Sequence, residues 1–533
     1  MGEIKLLDCT LRDGGYVNDW QFGHNNIVNI FERLVSAGVD IIEVGFLDER
    51  RPYDFSRTIM PNSEAVEKIF AKLEAGNSML VGMIDYGTCG LDNILPAAES
   101  ILEGIRVIFK KHLRREALAF CGELKKKGYK VFAQLVSITS YEDEELLDLI
   151  SLANDIEPYA VSIVDTYGLL HQENLIHYFT LLNEHLKSNI SVGYHSHNNF
   201  QMAYANCIEF LAQNAERDMV LDGTIYGMGK SAGNAPTELL TMHMNQHYGK
   251  SYDTSQILEA IDSSVMEFYK KTPWGYNMFY YISASNDCHP NYVSYLMNKR
   301  TLSVKSISQI LDGLQHDKKL LYDEAYIEQC YIDYQAHEIN DNTTYEKLEP
   351  ILRDKSILIL GPGRSIQSQS ESIKKKTKDM DCCTISINFV PEDTNIQYLF
   401  LTNAKRYLML SSQLIEERGN YEIIATSNVT SMKDEFAYEL NYSSLLDYNA
   451  SIVDNSLLML LRILKRMHVK EINLAGFDGY VGNGVDNYIE KNMEYIFTVE
   501  QANEINSYVA KIITEYDKEI PIHFITDSLY QNA

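Results

Sequence analysis

Residues Leu6–Trp20 read LLDCTLRDGGYVNDW. An apolar run that begins at Ile4 breaks off at Arg12-Asp13-Gly14-Gly15. Short apolar runs bounded by turn residues read as buried strands. A charged pair at the end of such a strand is either a structural ion pair or the floor of an active site. The two glycines after it allow a sharp turn and a close approach of backbone to a ligand. What repeats along the chain decides between these readings.

Similar runs recur at Ile41–Phe46, Ser78–Asp85, Gly104–Phe109, Lys130–Ile138, Ala160–Asp165, Ile190–His197 and Met219–Tyr226. With Ile4–Thr10 they make eight. Between them lie amphipathic stretches such as Asn26–Ala37, Ser63–Leu73, Arg115–Lys126, Glu142–Asn154, Glu173–Leu186 and Phe200–Gln213. Strands alternating with helices predict parallel βα units. Eight of them predict an α/β class (β/α)8 TIM barrel over residues 1–254.

From 255 to 345 the period stays helical and aromatic residues are dense, as in KKTPWGYNMFYYISASNDCHPNYVSYLM. This predicts a helical extension that packs on the barrel, with Trp274, Tyr276, His289 and Tyr292 as residues able to reach its site. The polar stretch EINDNTTYEKLEP reads as a linker. A second α/β pattern then fills 350–533. Its strands are expected at SILIL, Thr384–Phe389, Tyr398–Leu401, Tyr421–Ala425, Glu471–Leu474 and Ile522–Ile525, with a long helix over Ser456–Met467. This is the pattern of a smaller, Rossmann-like doubly wound domain.

The chain has 533 residues and a formal charge of −27, from 47 basic and 74 acidic residues. That balance disfavours nucleic acid and anionic membrane as partners. The eight cysteines show no metal spacing, which is the usage of a reduced compartment. No apolar run reaches the roughly 18 residues of a membrane span. The expected setting is the cytoplasm.

In a barrel of this kind, chemistry collects at the carboxyl ends of the strands. The first expected strand leads to Arg12 and Asp13, the second holds Glu43, the sixth ends in Asp165 and Thr166, and the seventh in GYHSHNN. His195 and His197 are two apart, so on a strand they share a face. Two imidazoles and a carboxylate suit a divalent metal, and Asp13 is the natural carboxylate. Arg12 then has a role as a fixed cation beside a developing enolate. An ion pair with Glu43 is the structural alternative, and Glu43 orienting Arg12 combines both.

The ordered set TLRDGG, IIEVGF, VDTYG, HSHNN and GMGKSAGN resembles the metal-dependent superfamily of HMG-CoA lyase, isopropylmalate synthase and 4-hydroxy-2-oxovalerate aldolase. The resemblance covers about half the chain. It implies a divalent ion (manganese, magnesium, cobalt or zinc) on Asp13, His195 and His197, with Asn234 a fourth ligand or close neighbour. It assigns Arg12 to the enolate of a pyruvate-like fragment, supported by Glu43, and implies a 2-oxo acid or related small-molecule substrate and a homodimer. The pyruvate-forming members carry a histidine after the RDG; here Tyr16 stands in that place, as acid/base or as a wall of the pocket. His24 is an alternative base, or simply opens the first helix.

The stretch SILILGPGRSIQ reads as a strand, a glycine turn and a helix start, with Gly361, Gly363 and Ser365 placed to cradle phosphate. Asn403 and Asp478 are further candidates. This half faintly resembles the Rossmann-like domains of bacterial sialyltransferases, which implies a nucleotide or nucleotide-sugar ligand. The main expectation is an aldolase or lyase acting through a pyruvate-type enolate. The alternatives are an acyl-CoA/2-oxo acid condensing enzyme, or a nucleotide-sugar-binding protein with a non-catalytic barrel.

Overall fold

The computed structural model describes residues 2–316, 318–336, 338–379, 382–392, 394–417, 419–430, 435–482, 487–490 and 497–531. By its internal contacts the chain divides into two compact units, Met1–Pro290 and Asn291–Ala533.

In the first unit the barrel is made of eight strands, β1 (Ile4–Asp8), β2 (Ile41–Leu47), β3 (Met79–Asp85), β4 (Gly104–Phe109), β5 (Lys130–Leu135), β6 (Ala160–Asp165), β7 (Ser191–Ser196) and β8 (Met219–Gly223), and a two-residue strand, Ile59–Met60, pairs beside the end of β2. Each pairs in parallel with the next, and β8 pairs with β1, so the sheet closes into the expected TIM barrel. The outer helices form because one face of each is apolar. In His24–Ser36 the buried residues are Ile27, Ile30, Phe31 and Leu34, a helical stripe. Asp143–Ile156 opens on a capping box between Glu142 and Glu145.

Inside the barrel every second residue of a strand points inward. Leu7, Ile41, Val81, Phe132, Ala160 and Val220 make one apolar layer. Two residues further along their strands, β2 and β8 turn inward Glu43 and Asp222, and β5 turns in Gln134; all are buried. Arg106 of β4 joins them with 0% exposure. The barrel is thus a packed core on which a layer of charge rests.

Two expectations are corrected. Strand β1 ends at Asp8, and Arg12 and Asp13 lie on a single helical turn, Thr10–Asp13. Neither following glycine needs a left-handed conformation: Gly14 is helical, and a Cβ on Gly15 would lie 2.0 Å from the Trp20 ring. The role of Gly15 is to admit Trp20, whose indole N–H donates to the Arg12 carbonyl at 2.7 Å.

The chain also divides at 290 rather than near 255 and 345. Thr254–Ala260, Met266–Lys271 and Met278–Ser285 belong to the first unit, while Val304–Asp312 and Glu324–Gln335 belong to the second. There the Tyr331 hydroxyl donates to Asp454 at 2.7 Å and Gln335 to the Tyr442 hydroxyl at 3.0 Å.

The second unit is built on a parallel sheet of β9 (Ser356–Leu360), β10 (Cys382–Ile387), β11 (Tyr398–Leu401), β12 (Glu422–Thr426), β13 (Tyr438–Leu440), β14 (Glu471–Ala475) and β15 (Ile522–Phe524). Its order is β13-β12-β11-β10-β9-β14-β15. The strands step outward from β9 in one direction, and β14 returns to the other side of β9. The helix Ser456–Arg466 is capped by Asn455, whose side chain accepts from the Leu458 N–H. Among the described residues no helix is long and apolar enough to cross a membrane.

Candidate metal centre at the carboxyl end of the barrel

Six buried ionisable residues close into a ring. Arg12 Nε donates to Glu43 Oε2 at 2.7 Å, and Arg106 Nη1 donates to the same oxygen at 2.9 Å. Arg106 Nη2 pairs with Asp222, and Asp222 Oδ2 faces His195 Nδ1 at 2.9 Å. His195 Nε2 lies 3.4 Å from Asp13 Oδ2, and Asp13 pairs back to Arg12. Two arginines face three carboxylates, so with neutral imidazoles the ring carries one net negative charge. Burial works against Asp13 ionising, yet the Arg12 charge and then the neighbouring His195 hold its carboxyl well below the ordinary range. Asp222 is held down likewise, by Arg106 and then His195 against burial. Burial disfavours a charged His195, but bonds to Asp13 and Asp222 outweigh it and raise its pKa.

His197 stands next to this ring. Its Nδ1 lies 2.9 Å from the backbone carbonyl of Asp165. A carbonyl only accepts, so Nδ1 carries the proton and Nε2 presents a lone pair. That Nε2 points toward Asp13 Oδ1, 3.7 Å away, and has no hydrogen-bond partner among the described residues. Both side-chain polar atoms of Asn234 are also buried without a partner. His197 and Asn234 are joined by an antiparallel bridge. Gly229 sits between Asn234 and Asp13: a Cβ there would fall 2.3 Å from Asn234 Nδ2 and 2.7 Å from Asp13 Oδ1.

The donor atoms of Asp13, His195 and His197 lie within 4.8 Å of one another. Buried lone pairs without donors, on a cluster of net negative charge, fit a divalent cation. The pairing of His195 with Asp222, and of His197 with a backbone carbonyl, is the outer-shell support that fixes metal-binding imidazoles.

Asp165 does not join the ring. Both its oxygens accept backbone N–H groups, from Leu169 at 2.7 Å and Leu170 at 3.2 Å, and burial pushes its pKa up to about 7. Tyr16 lies beside the cluster in an aromatic nest with Trp20 and Phe46, at centroid distances of 4.9 and 6.2 Å. Burial and then the Asp13 charge raise its phenol above the ordinary value. Lys230 donates its backbone N–H to Asp13 Oδ1 at 2.8 Å.

Arg12, Asp13, Glu43, Tyr16, His195, His197 and Asn234 are therefore neighbours in the first unit. His24 starts its helix and packs near Phe55, at 5.6 Å between rings. Trp274 donates to the Tyr226 carbonyl at 2.9 Å, and the His289 ring lies 6.1 Å from that of Tyr167. Tyr292 is in the second unit, where its hydroxyl meets the carbonyls of Lys318 and Leu321. Arg106 and Asp222 were missed. Each is a charge inside a short apolar run, GIRVIF and MVLDG, and that was the available signal.

In the glycine turn of the second unit, Ser365 meets a carboxylate of the chain itself. The Ser365 N–H donates to Asp478 Oδ2 at 2.9 Å, and its hydroxyl also pairs with Asp478. A carboxylate of the chain occupies the place of an anion. A Cβ on Gly361 or Gly363 would meet the Gly476 carbonyl oxygen at 2.6 or 2.5 Å, so these glycines let two loops cross.

Residues 3–263 match the HMGL-like family model, and this part of the chain is an HMGL-like domain. An oxaloacetate decarboxylase of Mycobacterium tuberculosis is 28% identical over 279 residues, 51% of this chain and 80% of that protein. A 4-hydroxy-2-oxovalerate aldolase of Pelotomaculum thermopropionicum is 28% identical over 278 residues, 51% of this chain and 78% of that protein. Among solved structures, the HMG-CoA lyase of Bacillus subtilis aligns at 17% identity with a TM-score of 0.41, over 52% of this chain and 95% of that one.

Proposed function

We propose that the barrel is a divalent-metal-dependent carbon–carbon lyase of aldolase type, acting on a 2-oxo acid through a pyruvate-type enolate. The observation that carries this is the anionic ring of Asp13, Arg12, Glu43, Arg106, Asp222 and His195, beside the bare donors of His197 and Asn234. A divalent ion on Asp13, His195 and His197, with Asn234 adjacent, supplies Lewis-acid polarisation of the 2-oxo group. Arg12 is fixed by Glu43 and Asp13, so its fork is already aimed when negative charge grows on the enolate oxygen. In cleavage the C4 hydroxyl gives up its proton and the C3–C4 pair becomes the enolate of pyruvate. C4 becomes an aldehyde carbonyl, and C3 takes a proton. In the bond-forming direction Tyr16, a phenol that is protonated at neutral pH and lies beside the Asp13 charge, donates to the C4 alkoxide.

The test is manganese- or cobalt-dependent deuterium exchange into the methyl group of pyruvate, followed by NMR, with metal content measured on the same sample. Exchange in the parent and its loss in Asp13→Asn and His195→Ala are expected. A metal-free protein without exchange would sink the proposal. Metal without exchange would move it to an acyl-CoA donor.

For the second unit we propose a Rossmann-like domain that binds a nucleotide-type phosphate. Support comes from a cavity of about 380 Å³ beside the crossing of β9 and β14, the switch point where such sheets take ligands. Phe477, Tyr480 and Tyr488 line one side, and Asn388, Ser456 and the buried Arg406 another. Lys405, next to Arg406, has its pKa lowered by burial and then by the charges of Arg300 and Arg406, so cations crowd here. Of the three glycine-turn candidates, Gly363 lines this cavity. Calorimetric titration with nucleoside mono- and diphosphates should show binding that Arg406→Gln weakens. Binding of none of them would overturn it.

A further inference from the structure

A second cavity, of about 220 Å³, opens in the first unit between Tyr16, Lys230, Trp274 and Tyr280. It shares a wall with the metal centre, because Gly229 and Lys230 line it and the Lys230 backbone N–H is bound to Asp13. The Lys230 ammonium lies 5.5 Å from the ring centre of Tyr16 and 5.6 Å from that of Tyr167. Among the described residues no carboxylate pairs with it. Asp13 and Asp85 act on it through space, in opposition to Arg12, and burial lowers its pKa. His289 adds no second cation: burial, Lys230 and Lys110 push its pKa down to about 4, so it stays neutral.

A half-buried cation whose described side-chain contacts are π faces is short of one anion. In a chain of net charge −27, such a cation beside a metal centre stands out as a recognition element. We infer that this cavity is a subsite for a second anionic group of the substrate, paired with Lys230. The inference rests on the lyase reading above. It narrows the substrate to 4-hydroxy-2-oxo acids whose aldehyde-derived end carries a carboxylate or comparable anion. The first carboxylate and the 2-oxo group stay at the metal and Arg12. Tyr16 lies between the two positions, and Trp274 and Tyr280 wall off the far end.

The test compares two substrates alike except at C5: 4-hydroxy-2-oxoglutarate, with a carboxylate, and 4-hydroxy-2-oxovalerate, with a methyl group. The metal-loaded parent is expected to favour the dicarboxylate in kcat/KM by about tenfold or more, the scale of a sheltered charge-assisted contact. Lys230→Met should erase that preference, and Lys230→Arg should keep most of it. Binding is read separately from the fluorescence of Trp274, by titrating the unreactive pair 2-oxoglutarate and 2-oxopentanoate. The parent should bind the former more tightly and Lys230→Met should not. Equal losses on both substrates in Lys230→Met, or a parent that prefers the methyl compound, would overturn the subsite while pyruvate exchange left the lyase reading standing. Absence of pyruvate exchange in the parent would remove both.

Discussion

The barrel and the second sheet gather polar side chains at the same place, the carboxyl ends of parallel strands, yet they settle charge differently. In the barrel, three buried carboxylates face two arginines, and the donors of His197 and Asn234 are left bare. In the second unit several polar groups beside the cavity pair with one another. Asp478 takes Ser365, and Asn388 donates to Thr402 and Ser456 at 3.0 Å each. A centre made for a cation keeps lone pairs and negative charge in reserve. The second unit keeps a hollow of about 380 Å³, with dipoles such as those of Asn388 and Ser365 already tied.

The sharpest way to break this contrast is at Asp13. Asp13→Asn removes the charge that makes the ring anionic and leaves Arg12 and His195 facing an amide. Metal affinity and pyruvate exchange should fall by well over a hundredfold, since loss of an outer-shell partner alone costs about 10- to 100-fold. Metal analysis after dialysis, with NMR exchange, checks it. Retained metal would mean that His195 and His197 suffice and that the ring charge is incidental.

Next in size is Arg106→Met. It leaves Glu43 and Asp222 buried without their shared cation, and removing one partner of a buried pair costs about 3–5 kcal/mol. Urea unfolding followed by tryptophan fluorescence measures it, because Trp20 and Trp274 are the only two tryptophans and both lie in the first unit. An unchanged midpoint would show that the ring is no structural unit.

These two residues also mark what was legible beforehand. Asp13 could be read because its neighbours Arg12, Gly14 and Gly15 form a local pattern, and His195 with His197 because two residues apart on a strand means one face. All eight strands were found, since alternation is a local property. Arg106 and Asp222 act through partners 63 and 27 residues away, Glu43 and His195, and no local pattern announces such pairing. The strand expected over Ile4–Thr10 ends at Asp8, and the single helical turn Thr10–Asp13 that follows is too short to show a helical period. At the glycine turn, Gly361 and Gly363 read locally as a phosphate cradle, while the Gly476 carbonyl against which they stand lies more than a hundred residues later.

Asp8 sharpens the contrast within the barrel itself. It is buried like Asp13, five residues away, but no arginine faces it. Burial raises its pKa from 3.8 to about 6, against hydrogen bonds from the Thr237 hydroxyl and the Thr10 N–H. Between those values the folded state holds more protons than the unfolded one, so stability falls as pH rises through this window, by up to about 3 kcal/mol in all. Asp8→Asn can keep the bond from the Thr10 N–H, its amide can donate to the Thr237 hydroxyl oxygen in place of the present bond, and the titration is removed. Its unfolding free energy should be flatter between pH 4 and 6 than the parent's, and the gap in its favour should widen toward pH 7. Parallel curves would show that Asp8 is stabilised in its charged form by something other than these two bonds.

The smallest effect tests the other side of the comparison. If Asp478 stands where an anion would sit, it contributes charge-assisted bonds to the N–H and hydroxyl of Ser365. Asp478→Ala should then cost the second unit about 2 kcal/mol, the usual worth of a hydrogen bond to a charged group. The loss is read from far-UV circular dichroism during urea unfolding, alongside tryptophan fluorescence, which reports the first unit. Added phosphate or sulfate should not restore it, because the carboxylate that Ser365 binds is tethered to the chain and a free anion must be captured from solution. Restoration by phosphate would reverse this view: the turn would be a true anion cradle that the chain fills with its own carboxylate, and the ligand of the second unit would then bind by displacing Asp478.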